Sequence, residues 1–204
     1  MNEPSALSLS SVAGEGSRIF SSVRNIHAHL FSFYHWARRG LPGSWVLHSV
    51  WANRWNFEGW LSHVAESDET WVSKGMVFFQ LFEELSGEIA VDWILRTESL
   101  QRDVGAMCAA WGLSAPAIPH ENRGGHGDHR RHYTPRMVDL VETTWADDIR
   151  LFGFDFEKGY RDGPAALHGD TAAMKGRVRY DRVTRRARFV HAPDNPDAAA
   201  LRAG

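Results

Sequence analysis

Arg24 and Ser32, eight positions apart in the stretch SRIFSSVRNIHAHLFSFYHW, are of types and at a spacing that suit the holding of a phosphate. Arginine presents a planar fork of donors that meets two phosphate oxygens at once, and a serine hydroxyl adds a neutral donor. Their setting favours the same chemistry. Ile19, Phe20 and Val23, with small residues between them, read as a short buried strand, and Leu30, Phe31, Phe33 and Tyr34 recur at helical spacing behind it. A strand that runs straight into a helix leaves the first-turn N–H groups and the positive end of the helix dipole at the corner, where an anion is favoured. His27, His29 and His35 lie close to this anchor, although a single helix histidine is more often packed or solvated than reactive.

The segment VRNIHAHLFSFYHW resembles the pattern VRNP-aromatic-D-R-L-x-S-x-Y of the sulfotransferase family, in its bacterial and carbohydrate-type branch, which uses 3′-phosphoadenosine 5′-phosphosulfate. The resemblance implies that Arg24 and Ser32 hold the donor's 3′-phosphate. Ile26, Ala28 and His29 stand where the pattern has proline, an acid and a second arginine. Two further stretches resemble the same family in the same order. Arg96-Thr97-Glu98-Ser99-Leu100 matches R-x-E-x-L, and 145–154 matches the closing Y-x-x-D-x-x-x-F-G-Y. Pro119-His120-Glu121-Asn122 and Arg130 to Tyr133 match the two ends of a loop that lies over the nucleotide in that family, which makes Arg130 a further candidate for donor contact. The family's 5′-phosphosulfate loop, a glycine-rich turn with a lysine, has no counterpart between Met1 and Arg18. The resemblance therefore implies an N-terminally truncated α/β domain, a short, mostly parallel sheet flanked by helices in a P-loop-kinase-like layout.

The elements that must position these residues follow from periodicity and punctuation. Residues 91–95 read as a buried strand, with Thr97 placed to cap the next helix and Glu98 in its first turn, structural rather than a general base. Leu100, Val104, Met107, Cys108 and Trp111 fall on one helical face that Gly112 stops. Residues 57–64 read as a short helix. Trp45, Trp51, Trp55 and Trp60 read as core bulk, the alternative being a substrate-facing wall. The loop 113–133 carries His120, His126, His129 and His132, which match no closed tetrahedral metal motif, so no metal site is expected. Thr134-Pro135 opens a helix whose inner face runs through Met137, Leu140, Val141, Trp145, Ile149 and Phe152.

Composition bounds the remainder. A chain of 204 residues with 43% hydrophobic content can bury one sizeable core. A net charge of −2 carries no global nucleic-acid signature, and no apolar run reaches the roughly 20 residues that span a bilayer. The single cysteine, Cys108, excludes an internal disulfide framework and fits a reducing, cytoplasmic setting. Three segments are expected: a loose leader over 1–16, the sulfotransferase-like domain over 17–157, and a basic appendage with a disordered tail over 158–204. That last segment carries ten Lys or Arg against five acids, with hairpin-like alternation over 176–189.

Three functions stay open on this basis. The first is sulfuryl transfer from 3′-phosphoadenosine 5′-phosphosulfate to a hydroxyl or amine of a small-molecule or carbohydrate acceptor, with the catalytic base unidentified. The second is a non-catalytic relative that at most binds the nucleotide, and the third an anion- or metal-binding module built on the histidine loop. A homo-oligomer is compatible with all three; membrane and nucleic acid are not expected as partners.

Overall fold

The computed structural model describes residues 16–40, 46–67, 78, 81–82, 86–119, 127–161, 167–181 and 186–189. Residues 1–15 of the leader, Trp45, His120 and His126, and the last fifteen residues lie outside the described residues.

The chain enters as strand β1 (Phe20–Val23) and turns at Arg24-Asn25 into helix α1 (Ile26–Ala37). Asn25 starts the helix because its side-chain oxygen accepts the N–H groups of His27 and Ala28, at 3.0 and 3.4 Å. Helices α2 (Val46–Arg54) and α3 (Phe57–Glu66) follow, the second capped by Asn56 on Gly59 N–H at 2.9 Å. Strand β2 (Trp93–Arg96) lies parallel to β1, with Phe20 opposite Trp93 and Val23 opposite Arg96. A 3-10 turn (Thr97–Ser99) leads from it into α4 (Leu100–Ala110). Gly112 ends α4 in a left-handed conformation, and Leu113 N–H reaches back to Cys108 O at 2.8 Å, the paired bonds of a Schellman stop.

Thr97 departs from its expected role. Its hydroxyl donates to Val23 O at 3.0 Å, tying the end of β2 to the end of β1, and the residue before α4 is Ser99, whose hydroxyl goes to Asp103. A second 3-10 turn (His129–His132) structures the end of the long loop, and Thr134 caps α5 (Pro135–Thr144) on Met137 N–H at 3.3 Å. The continuous helix read to Phe152 is broken: Trp145 leaves helical geometry, and a separate helix α6 (Ala146–Phe152) carries the rest to Gly153, left-handed at φ 66°. Trp145 itself is fully buried, and hydrogen bonds from Trp145 N–H to Val141 O and from Ile149 N–H to Trp145 O span the break.

Three antiparallel strand pairings and an isolated antiparallel bridge between Phe82 and Ile89 follow among the described residues. β3 (Phe154–Asp155) pairs with β4 (Gly159–Tyr160), β5 (Gly169–Asp170) joins β2 on the side away from β1, and β6 (Val178–Asp181) pairs with β7 (Arg186–Phe189). Among the described residues, parallel pairing is thus confined to β1 and β2, and the fold is mixed α/β with small sheets rather than one mostly parallel sheet.

The three-stranded sheet separates two apolar layers. Val23 and Ile94 face the main core with α1, α3, α5 and α6, where Trp60, Trp145, Phe152 and Phe154 are fully buried. Leu95 faces the other way, onto Val104, Met107 and Cys108 of α4, with Trp93 and Trp111 packed beside them. Trp51 and Trp60 are core, as their bulk suggested; Trp55 is half-buried. The residues from 167 onward contribute Leu167, Val178 and Ala187 to the main core, and the buried Thr171 ties its hydroxyl to Val91 O at 2.6 Å.

Candidate anion-binding site

The β1–α1 corner is built by Asn25. While its oxygen caps α1, its side-chain N–H groups donate to Asp155 O at 3.0 Å and Gly159 O at 2.6 Å, which pins the β3–β4 hairpin over the corner. The backbone N–H of Asn25 donates to Glu98 Oε1 at 3.0 Å, and Tyr160 of the same hairpin donates its hydroxyl to Glu98 Oε2. Glu98 is therefore a strap between two parallel strand ends and a hairpin, in keeping with the structural role read for it. Burial, with the Glu98 charge beside it, holds the Tyr160 hydroxyl well above the ordinary phenol range. Arg96 lies under the Tyr160 ring, its guanidinium carbon 4.0 Å from the ring centre, and reaches His168 Nδ1 at 3.2 Å.

This construction changes how the corner can meet an anion. The first-turn N–H groups expected to be open are partly taken: those of His27 and Ala28 by Asn25, and that of Asn25 by a carboxylate. Arg24 is left as the cation of the corner. It is half-buried at the carboxyl end of the parallel strand pair and makes no hydrogen bond or ion pair with any described residue. Its charge is felt by two imidazoles, His29 and His129.

Ser32 is half-buried on α1, one turn after His29 and on the same side of the helix. The climb from Ile26 to Ser32 is about 9 Å along the axis at 1.5 Å per residue, so an anion that touches both Arg24 and Ser32 lies along the flank of α1 rather than on its end. Arg130, the other arginine singled out, is engaged elsewhere. Its Nε lies 3.0 Å from both Asp128 oxygens and its Nη1 donates to Glu157 O at 2.8 Å. That pairing pulls the Asp128 carboxyl down to about 2. No contact joins Arg130 to Arg24 or Ser32, although its neighbour His129 faces Arg24.

The histidines near the anchor are packed. His27 is 1% exposed, neither ring nitrogen has a hydrogen-bond partner, and the ring sits between Phe156 and Tyr133 at 5.0 and 5.7 Å. Burial first, then the neighbouring His129, lowers it to about 4, against a small opposing pull from Asp155. His29 packs on Phe78 at 5.5 Å and is lowered to about 4 by burial and then by Arg24. His129 is lowered chiefly by burial; Asp128, its Oδ1 3.7 Å from Nδ1, pulls the other way. Among the described residues no group of three or more His, Cys, Asp or Glu is arranged to hold a metal ion.

Sequence reasoning missed the parts that lock the corner: the Asn25 amide, Tyr160, Tyr133, whose hydroxyl donates to His27 O at 2.9 Å, and the Asp155–Gly159 hairpin. Asparagine immediately before a helix was the one legible signal. The partners lie more than 100 residues away in sequence, and nothing local announces them.

Fold and site define a mixed α/β protein with a half-buried arginine at a strand–helix corner that pairs with none of the described residues. No protein-family model, no curated protein and no solved structure matches the chain. No helix among the described residues is long and apolar enough to cross a membrane.

Proposed function

We propose that this protein is a sulfotransferase-like protein whose β1–α1 corner anchors the 3′-phosphate of 3′-phosphoadenosine 5′-phosphosulfate on Arg24 and Ser32. The observation that carries the reading is Arg24 itself. Its guanidinium has no carboxylate partner among the described residues, and a bound anion can meet it with bidentate geometry. Its place outside the carboxyl ends of two parallel strands is where open α/β sheets bind ligands. The order of the three stretches that resemble the family supports the same reading. The acceptor is a hydroxyl or amine of a small molecule or carbohydrate, and the setting is the cytoplasm.

A second reading, nucleotide binding without chemistry, is favoured by one observation. The carboxylate closest to the corner, Glu98, is already held by Asn25 N–H and the Tyr160 hydroxyl, so it is not free to take an acceptor's proton. Incubation with a radiolabelled sulfuryl donor and a panel of acceptors separates the two. Transfer that Arg24→Ala loses establishes the enzyme; nucleotide binding without transfer establishes the second reading; neither, from folded protein, refutes both.

A further inference from the structure

Strand β1 is the edge of its sheet: the order is β1-β2-β5, and among the described residues no strand pairs with its far side. Its backbone groups alternate in direction. Ile19 turns both of its groups toward β2, its N–H donating to Asp92 Oδ2 at 2.9 Å and its C=O accepting Trp93 N–H at 3.2 Å; Val23 O accepts the Thr97 hydroxyl on the same side. Phe20 and Ser22 therefore turn their N–H and C=O groups away from β2. An exposed row of such groups is a template for another strand, and folded proteins guard it with charge, proline, a bulge or a covering element. From Ile19 to Val23 the sequence IFSSV holds no charge and no proline. Arg18, just before it, is folded back, its guanidinium carbon 5.5 Å from the Trp111 ring centre.

The side chains mark the same edge. Phe20, opposite Trp93 on the α4 side of the sheet, is 54% exposed, with its ring 6.3 Å from that of Trp111. Leu113, two residues past Trp111, is 60% exposed. We infer that a second copy of this chain docks here, β1 against β1 in antiparallel order about a two-fold axis, joining the two three-stranded sheets into one. The two-fold axis makes the edge its own complement, since each outward N–H meets an outward C=O of the same strand in the other copy. Charge and side-chain size choose the register. With Phe20 opposite its own counterpart, the two exposed rings form a cross-strand aromatic pair and Arg18 falls opposite Ser22. A shift to Phe20 opposite Ser22 sets Arg18 against Arg24, a like-charge pair, and separates the rings. The net charge of −2 opposes self-association only weakly. A pairing of four-residue strands is small for an interface, which puts the dissociation constant in the micromolar range.

Sedimentation velocity of the full chain across the micromolar range tests this. Expected is a concentration-dependent dimer. Phe20→Lys places a charge on the edge, and Ser22→Pro removes an outward N–H but none of the bonds to β2; each should raise the dissociation constant at least about tenfold. Trp36→Lys, which removes an aromatic 46% exposed on α1, should leave the dimer intact. Melting curves verify that each variant is folded. Amide exchange of the unsubstituted protein reads the backbone: the Phe20 and Ser22 N–H groups should be protected in the dimer and open on dilution. A monomer at every concentration overturns the proposal, whether those amides are open or protected by the chain's own residues. So does a dimer that Phe20→Lys and Ser22→Pro both leave intact, or one that Trp36→Lys dissolves as well.

Discussion

The backbone N–H of Asn25 donates to Glu98 Oε1 at 3.0 Å across 73 residues of sequence, so the corner after β1 is held by the residue two positions after β2. The other Glu98 oxygen receives the Tyr160 hydroxyl, which makes one carboxylate the common tie of two strands and a hairpin. Glu98→Ala should destabilise the fold by about 1–3 kcal/mol, the usual cost of leaving partly buried donors unmet. Glu98→Gln keeps an acceptor for Asn25 N–H and can donate its amide N–H to the Tyr160 oxygen once that hydroxyl turns, so it should recover part of that loss. Urea unfolding of the three proteins reads the difference, and an Ala variant as stable as the parent contradicts the strap.

Asn25 carries four hydrogen bonds through one amide side chain. Asn25→Asp preserves the helix cap but replaces two donors by carboxylate oxygens that face the carbonyls of Asp155 and Gly159. The aspartate variant should therefore lose about 2 kcal/mol or more, beyond the roughly 1 kcal/mol of a simple cap deletion. Cap preferences alone predict no loss for aspartate, so equilibrium unfolding decides between a cap and a tether.

Acid should destabilise the protein through its buried imidazoles. His27 sits near 4 in the folded protein against an ordinary 6.5, because burial penalises its charged form. The unfolded chain therefore binds the proton first: the stabilising contribution is complete above about pH 6.5 and is lost as pH falls towards 4. The full span is on the order of 3 kcal/mol for one such group. His27→Phe, which removes two unpartnered ring nitrogens, should change stability at pH 7 by less than about 1.5 kcal/mol and reduce the loss on going to pH 4.5. Denaturant unfolding at the two pH values measures both, and an unchanged pH slope rules His27 out as a source.

Gly87 links the β6–β7 hairpin to the core. It has φ 68°, its carbonyl accepts Tyr180 N–H at 2.8 Å, and a Cβ there would overlap Tyr180 O. Gly87→Ala should cost about 1–3 kcal/mol through backbone strain and displacement of β6. Amide exchange should rise first at Tyr180. Unchanged exchange there would show that the hairpin does not depend on this close approach.

The elements with strong local signals were legible: the cap at Thr134-Pro135, the apolar face from Leu100 to Trp111 with its Gly112 stop, and the alternation over 176–189, which holds β6 and β7. What was not legible is long-range. Thr97 reads as a helix cap because hydroxyl residues before helices usually are, yet its hydroxyl donates to Val23 O, brought alongside by the parallel register. The sequence 135–152 has continuous helical periodicity, and Trp145 is buried as that periodicity expects, yet its backbone at φ −109° and ψ 34° separates α5 from α6. At the corner, the place of Arg24 between a strand and a helix was readable from the sequence. That the open N–H groups of the corner would be claimed by Asn25 and Glu98 was not, since one partner lies 73 residues away.

The central claim is that Arg24 is an anion anchor. Calorimetric titration with 3′-phosphoadenosine 5′-phosphate at low salt and without metal, beside Arg24→Ala and Ser32→Ala, tests it most directly. The account predicts micromolar binding, a loss of at least about tenfold on removing the charge-assisted arginine contact and a smaller loss on removing the serine hydroxyl. Equal binding by the parent and Arg24→Ala, or none by the folded parent, would contradict it.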